Sequence, residues 1–424
     1  MPARRASERA NQTVRAMTLV MTLKVRDEED VIEDNLRFHR ALGVDFFVVM
    51  DNGSVDRTPE ILARYQDAGL AHVLRDESGD LRTLGAEWYT RMGRMAATEF
   101  GADWVIHNDA DEFWWPLSGN LAEALAAVPQ QFGAVVAPRA EFVGRPDGPG
   151  SFAERLVVRE ARSSLQPKVA HRADPEVVVL HRGAHDVAAA ANGDLWRALR
   201  PPGRAVHRSV RAADGEPSDG VEDIRLVWAP SWPLRIFHFP LRSLEQFRKR
   251  TEISLRHGGF RDSGRFRRLR RHYEQGRLEE LYAELIWDDA TVEEGIKDGQ
   301  LIRDPRLAQL LPRCPDPLAG GQAGALRVTP SEPELERERA EVELDAMRLM
   351  TRTQRFTMLR LDQARERIDE LHEKNDHLRA KLGRTLGRRL LKLGRRRRSR
   401  DQPPTDELGI EGGIEQPARE NQEL

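Results

Sequence analysis

The sequence predicts an α/β protein with a mostly parallel sheet and helices on both of its faces. Over residues 17–107, apolar runs of strand length alternate with segments of helical periodicity, in the order β-α-β-α-β-α-β. Polar segments that contain acids follow the first, second and fourth strands, at residues 26, 51 and 109. Since such sheets bind ligands outside the carboxyl ends of their strands, these segments predict a site along one edge.

Each predicted strand is a short apolar run, and each predicted helix carries an apolar residue every three or four positions. The first helix starts among acids that suit its dipole and ends at Gly43, and the second ends at Gly69. The strands are expected at residues 17–25, 44–50, 71–74, 104–107, 133–138, 168–171 and 177–181. Further helices are expected at residues 84–100, 117–128 and 278–287, and a long loop at residues 192–220.

Composition limits the classes of protein to which this chain can belong. The 424 residues are 32% charged, above the globular average of about 25%, and the net charge of −2 gives no argument for nucleic acid as a partner. A single cysteine, Cys314, excludes a disulfide framework and a cysteine-rich metal site. The apolar run at residues 17–25 is too short for a membrane span. We therefore expect a cytoplasmic protein whose membrane contact, where present, is peripheral at the inner face.

Two acids follow the fourth strand directly, in the segment 104–115 (WVIHNDADEFWW). Asp109 and Asp111 are two residues apart, so in an extended segment their side chains point the same way. A hard divalent cation would relieve the repulsion between two such carboxylates. The alternative interpretation is a solvated acidic turn, and other segments are needed to decide between the two.

Four segments together resemble one branch of the family 2 glycosyltransferases. Segment 51–58 (DNGSVDRT) resembles the family's D-D-G-S-x-D-G-T loop, and segment 108–113 (NDADEF) is similar to its D-x-D-E-F element. Residues 24–45 resemble the "N-E … H-x-x-L-G-x-D" opening of that branch, and segment 236–243 (IFHFPLRS) resembles its closing element. The resemblance covers roughly residues 17–250.

The resemblance implies a GT-A fold, a Rossmann-like sheet that binds a nucleotide-sugar donor, in an inverting and metal-dependent transferase. Asp51 would accept a hydrogen bond from the base or ribose, and Asp109 would lie near the ribose and the metal. Asp111 would bind the Mn²⁺ or Mg²⁺ that bridges the diphosphate of a UDP- or GDP-linked sugar. The further donor-binding residues it implies are Arg26, Asn52 and Asp56. The sequence departs from the family pattern at Asn52 and Arg57, where Arg57 is either a phosphate contact or a solvated turn residue.

An inverting enzyme of this kind needs a carboxylate base for the acceptor hydroxyl. The candidates by position are Glu141, after the strand at residues 133–138, and Asp186, beside His185; a surface carboxylate is the alternative interpretation of each. His238 is expected either to complete the metal shell as a neutral imidazole or to close over the diphosphate, and His185 shares these two roles. No G-x-G-x-x-G and no P-loop follow the first strand, which argues against a nicotinamide or P-loop enzyme.

The C-terminal part is expected to be separate from the catalytic domain. In one heptad frame, the core positions are Leu361, Ala364, Ile368, Leu371, Asn375, Leu378 and Leu382. This seam predicts a coiled coil and a homo-oligomer. Residues 383–400 carry no acid and form a basic amphipathic segment that suits an anionic membrane surface, with nucleic acid or plain disorder as the alternatives.

The predicted organisation is therefore a series of segments around one catalytic domain. They are a disordered N-terminus (1–16), a GT-A domain (17–250), a helical extension (251–303), a linker (304–332), a coiled coil (333–382), a basic segment (383–400) and a disordered tail (401–424). The acceptor, a glycan, lipid or protein, is not indicated by the sequence. Two other functions stay open: an interaction protein with a vestigial sugar-nucleotide domain, and a nucleotidyltransferase, which would release pyrophosphate.

Overall fold

The structure is a computed structural model that describes residues 17–76, 85–130, 132–179, 183–184, 187–189, 233–257 and 264–349. These residues belong to one compact unit, Met1–Gln354. The expected disordered termini, the seam of the coiled coil, the basic segment and the loop at residues 192–220 lie outside the described residues.

Strands and helices alternate through the first half of the chain. The strands are β1 (Leu19–Val25), β2 (Phe46–Asp51), β3 (Ala71–Arg75), β4 (Trp104–Asp109), β5 (Glu112–Pro116), β6 (Ala134–Glu141), β7 (Val158–Glu160), β8 (Ser164–Arg172), β9 (Val177–Val179), β10 (Val187–Ala189), β11 (Leu234–His238) and β12 (Leu301–Arg303). The helices are α1 (Ile32–Ala41), α2 (Thr58–Asp67), α3 (Gly85–Thr98), α4 (Leu121–Ala126), α5 (Phe152–Arg155), α6 (Leu244–His257), α7 (Gly264–Glu274), α8 (Leu278–Ala283), α9 (Asp289–Lys297) and α10 (Arg306–Leu310).

One sheet of eight strands organises the described part of the chain, in the order β3-β2-β1-β4-β8-β6-β11-β5. The pairs β1–β2, β2–β3, β1–β4 and β6–β11 are parallel, whereas β8 and β5 run antiparallel to their neighbours. Only Ala110 and Asp111 separate β4 from β5 along the chain, although three strands lie between them in the sheet. The sheet must therefore curl so that β5 returns to the end of β4.

Helices cover both faces of this sheet, as predicted. Alternate residues of β1 point to opposite sides, so Met21 and Leu23 join the core under α1 and α2, while Val20 joins the core under α3. Gly43 ends α1 with a left-handed φ of 104°, a conformation that glycine adopts without a steric penalty. The α/β class and the Rossmann-like arrangement expected for a GT-A domain are confirmed.

Residues 304–349 pack against the same domain. The expected linker at residues 304–332 contains α10 and two short 3₁₀ turns, Leu311–Arg313 and Pro317–Ala319, and it buries Leu307 and Leu310 in the main core. The prolines and glycines of this segment favour the turns, and its apolar residues pack it against the domain. Residues 332–349 form a helix that buries Val342 and Leu349. No helix in the described ranges is long and apolar enough to cross a bilayer.

Candidate active site

The carboxyl ends of β1, β2 and β4 lie side by side at one edge of the sheet. Val25 of β1 is in register with Asp51 of β2, and Lys24 of β1 is in register with Asp109 of β4. With β1 between them, the backbones of Asp51 and Asp109 are about 10 Å apart, which is twice the strand spacing. Strand alternation directs the two side chains to different faces, since Asp109 contacts Tyr89 of α3. The side chains of Asp51 and Asp109 therefore do not contact each other, and any connection between them runs through the loops at this edge.

The loops after β1 and β2 are locked together by hydrogen bonds. Asp27, whose φ of 52° is left-handed, accepts a bond from the Val55 amide at 2.7 Å. The carboxylate of Asp56 accepts bonds from the amides of Glu29 at 3.1 Å and Thr58 at 2.9 Å. Asp56 was expected to bind the donor, but its oxygens hold these two loops in register instead.

Asp51, Asn52 and Arg26 lie together at the carboxyl ends of β1 and β2. Asp51 and Asn52 are each 2% exposed, and one oxygen of Asp51 accepts a bond from the Ser54 amide at 2.9 Å. Arg26 lies 3.5 Å from the side-chain oxygen of Asn52, which brings these two residues together. Arg57 is exposed and lies 3.7 Å from Glu60, so in this arrangement it is a solvated turn residue.

Two residues of α1 fix the turn that carries Asp109 and Asp111. The buried amide of Asn35 donates to the carbonyls of Ala110 and Glu112, each at 2.8 Å. His39 accepts a bond from the Trp114 amide at 3.0 Å through Nε2, so its Nδ1 carries the proton and donates to the Asn35 carbonyl. Burial lowers the pKa of His39 to about 3, so the ring stays neutral and keeps this tautomer.

Asp109 is neutralised by a buried lysine from β8. Its two oxygens contact the Lys168 ammonium at 2.6 Å and the Tyr89 hydroxyl at 2.7 Å. Lys168 is fully buried and also lies 2.9 Å from Glu112, whose other oxygen is 3.1 Å from Arg139. Burial disfavours the ionised form of Asp109, but the charges of Lys168 and Lys24 and the hydrogen bond from Lys168 together outweigh burial and lower the pKa of Asp109 to about 2.

Asp111 lies at the centre of a second ionic cluster, built from β6, β11 and α6. Its Oδ2 atom is 3.3 Å from Arg250, 3.5 Å from His238 and 3.7 Å from Arg242. The other ring nitrogen of His238, Nδ1, is hydrogen-bonded to Glu141, which is also held by Arg139 at 2.7 Å. Burial opposes the charge on Asp111, yet these cations lower its pKa well below the usual range.

His238 is a cation in this cluster. Burial disfavours its charged form, but the carboxylates of Asp111 and Glu141 outweigh burial and raise the pKa of His238 to about 9. A metal ligand must instead offer the lone pair of a neutral imidazole. In this arrangement both ring nitrogens of His238 face carboxylates, and its role in a metal shell stays a prediction.

Arg242 connects this cluster to the loop after β1. The guanidinium group is 1% exposed and bonds to Asp30 at 2.7 Å and Glu28 at 2.5 Å. Burial raises the pKa of Glu28 to about 7 against the opposing charge of Arg242. Since the loop after β1 is also locked to the loop after β2, a continuous series of contacts joins Asp111 to the Asp51 loop. One network of polar contacts therefore joins all three loops at this edge.

The cation expected from the resemblance fits Asp111 better than the other expected ligands. Both oxygens of Asp109 are engaged by protein groups, and within the described residues no cluster of three His, Cys, Asp or Glu side chains forms a metal cage. Mg²⁺, however, is commonly held by one or two carboxylates together with substrate phosphates. Asp111, ionised and next to the half-exposed Arg250, fits that mode.

Several site residues were not identified from the sequence. Lys168, Arg139 and Arg242 neutralise the acids, and Asn35 and His39 fix the turn. Lys168 carried no clear signal of burial, because its strand β8 also contains Ser, Gln, His and Arg. Asp186 and His185, expected as a base and a second closing histidine, lie outside the described residues.

No family model matches the sequence, and no curated protein matches it. Among solved structures, the chain is similar to S. aureus TarS in complex with UDP, with 17% identity and a TM-score of 0.25 over 37% of this chain and 47% of that one. It is also similar to glucosyl-3-phosphoglycerate synthase from Mycobacterium tuberculosis in complex with Mn²⁺, UDP and glucosyl-3-phosphoglycerate, with 19% identity and a TM-score of 0.25 over 40% of this chain and 62% of that one. The chain spans less than two thirds of each structure, and likenesses with such TM-scores assign no activity to it.

Proposed function

We propose that this chain is a glycosyltransferase that moves a sugar from a nucleotide-sugar donor to an acceptor hydroxyl. The observation that carries the proposal is the contact series at the sheet edge. Asp111 contacts Arg242, Arg242 contacts Glu28, and the loop containing Glu28 is locked to the loop that follows Asp51. This series supports a single donor site, because it joins the loops that carry the expected base-binding and diphosphate-binding residues.

Each residue has a role that suits its surroundings. Asp51 and Asn52, with Arg26 beside them, recognise the base and ribose of a UDP- or GDP-linked donor. Asp109, held by Lys168 and Tyr89, presents its carboxylate near the ribose. Asp111 holds the divalent cation, Mn²⁺ or Mg²⁺, which when bound neutralises charge on the leaving diphosphate.

Charge balance supports a donor that enters together with its cation. In the site, the acids Asp109, Asp111 and Glu141 already have protein cations as partners. A diphosphate brings two negative charges that these paired cations do not offset, whereas a diphosphate with a divalent cation is close to neutral. The protein therefore recognises the metal complex of the donor rather than the bare nucleotide.

Glu141 is the proposed base for the acceptor hydroxyl in an inverting reaction. Burial raises its pKa, but His238 and Arg139 outweigh burial and lower it, so the carboxylate is ionised near neutral pH. Its side chain is 18% exposed, and its two cationic neighbours fix its position. Asp186 stays the alternative base.

Product analysis tests the proposal. The protein is incubated with UDP- and GDP-sugars in the presence of Mn²⁺ or Mg²⁺, with water as the acceptor of the sugar, and the released nucleotide is identified. We expect a nucleoside diphosphate from the unaltered protein and none from Asp111→Asn. In a parallel incubation with UTP or GTP and a sugar 1-phosphate, release of pyrophosphate would indicate a nucleotidyltransferase. No release in either incubation would favour an interaction protein with a vestigial domain.

A further inference from the structure

Two arginines of the β11–α6 region contact Asp111, and they differ in how they are held. Arg242 is 1% exposed and is fixed by Glu28, Asp30 and the Phe239 carbonyl. The side chain of Arg250 is 54% exposed, and its guanidinium group contacts Asp111 at 3.3 Å and the Pro240 carbonyl at 3.2 Å. Arg242 therefore belongs to the fixed framework, whereas Arg250 can leave Asp111 at a small cost in burial.

The neighbouring residue keeps the helix of Arg250 in place over the site. Lys249 bonds to Glu29 of the loop after β1 at 2.9 Å and to Glu245 at 3.1 Å. The contact with Glu29 holds α6 against the loop after β1, whereas Glu245 lies on α6 itself. Arg250 therefore lies on a helix that is also held by Lys249, so the position of the helix does not depend on the contact between Arg250 and Asp111.

We propose that Arg250 is a donor-binding residue that occupies the cation position of Asp111 until the donor enters, and then binds the donor's diphosphate. This inference rests on the proposed function, since it assigns a residue to the same site. A guanidinium group suits both partners, because its planar fork of N–H donors matches carboxylate and phosphate oxygens alike. The exchange keeps each charge paired before and after the donor binds.

The exchange has two consequences of opposite sign. Without a nucleotide, Arg250 competes with a divalent cation for Asp111, so its removal strengthens binding of Mn²⁺ alone. With a nucleotide, Arg250 supplies a charge-assisted hydrogen bond to the diphosphate, so its removal weakens nucleotide binding. A residue with only a structural role would not change the two affinities in opposite directions.

The test compares Arg250→Ala with Arg248→Ala, a control on the same helix whose partner is Glu279. Binding of Mn²⁺ alone is followed by electron paramagnetic resonance of the free ion, and binding of UDP and of GDP in saturating Mn²⁺ is followed by calorimetry. For Arg250→Ala we expect Mn²⁺ to bind about two- to fivefold more tightly, the size of a half-exposed ion pair. We expect the nucleotide to bind about 10- to 100-fold more weakly, while Arg248→Ala matches the unaltered protein.

The outcomes separate this inference from the proposed function. If the unaltered protein binds neither UDP nor GDP with Mn²⁺, the proposed function fails and this inference fails with it. If the unaltered protein binds a nucleotide but Arg250→Ala binds it equally well, or binds Mn²⁺ more weakly, the inference is wrong and the function stands. Arg250→Lys keeps the charge without the fork, and we expect its nucleotide affinity to lie between the two.

Discussion

Lys168 lies within β8, and its ammonium group is enclosed by Asp109, Glu112 and the ring of Tyr89. A fully buried ammonium group is stable only when its charge and its N–H groups are satisfied. In turn, Lys168 keeps the buried acids of the β4–β5 turn ionised and oriented. The geometry of the turn therefore depends on a residue of β8, 59 positions from Asp109 in the sequence.

Replacement of Lys168 by methionine, which has a similar shape, leaves Asp109 and Glu112 without their shared counter-charge. We expect the free energy of unfolding to fall by about 3–5 kcal/mol, as for other buried pairs that lose one partner. Denaturant titration followed by circular dichroism measures this change. Adding Asp109→Asn and Glu112→Gln to the same variant should recover part of the loss; no recovery would show that packing, not charge, causes it.

The charge on His238 predicts a dependence of stability on pH. The imidazole has a pKa of 6.5 in its ordinary state and about 9 in the folded protein, because Asp111 and Glu141 outweigh the effect of burial. The folded state is therefore stabilised by protonated His238 below pH 6.5, and this stabilisation is lost as the pH rises through about 9. The unfolding free energy of the unaltered protein should exceed that of His238→Gln at pH 6.5. We expect this difference to shrink by up to about 3 kcal/mol as the pH rises from 6.5 to about 9. A difference that does not change with pH would contradict the assignment.

The sequence located the acids of the site better than it located their partners. Asp51, Asp109 and Asp111 follow strands, and the strand pattern alone places them at one edge. Their ionic partners come from β8, β6 and α6, and pairing across a sheet is not recorded in local sequence patterns. For the same reason, His238 was expected to be neutral, since Glu141 could not be placed next to it.

Among the secondary-structure elements, β11 connects the site to the helix of residues 332–349. His238 ends this strand within the Asp111 cluster, while Arg235 of the same strand contacts Glu341 at 3.2 Å and Asp345 at 3.8 Å on the helix of residues 332–349. Arg159 of β7 also contacts Glu341, at 3.1 Å. The helix of residues 332–349, which is the first part of the predicted coiled coil, is thus attached through charged residues to the strand that carries His238.

Arg235→Met tests how strongly this attachment stabilises the domain. Arg235 is 1% exposed, so its removal takes a buried counter-charge from Glu341 and Asp345, which among the described residues keep only Arg159 and Arg348 as cationic partners. We expect a loss of about 3–5 kcal/mol in unfolding free energy. The control is Arg327→Met, whose ion pair with Glu123 is 58% and 44% exposed and should contribute about 0–1 kcal/mol. Equal effects of the two substitutions would contradict a buried attachment.

The strands and helices of the first half were predictable because each has its own periodicity and its own turn residues. The strand β5 was not among the predicted strands, because its residues follow directly after the two acids of the β4–β5 turn. Its backbone is held by β11 and by His39, both distant in sequence. The reversed direction of β8 was missed for a similar reason, since direction is fixed by pairing partners rather than by strand composition.

At the scale of the whole molecule, the predicted coiled coil concerns residues outside the described ranges, and its test is the oligomeric state. The heptad seam between Leu361 and Leu382, with Asn375 at one core position, predicts self-association. We expect the full chain to sediment as an oligomer and a chain that ends at residue 349 to sediment as a monomer. A monomeric full chain at micromolar concentration would contradict this prediction.

The central claim is that the loops after β1, β2 and β4 form one donor site. The most direct test is a crystal structure of the protein with UDP or GDP and Mn²⁺. The account predicts a single nucleotide, with its base at Asp51 and Asn52 and its diphosphate at Asp111 and Arg250. A nucleotide bound away from this edge, or one that contacts Asp51 while its phosphates point away from Asp111, would contradict the account.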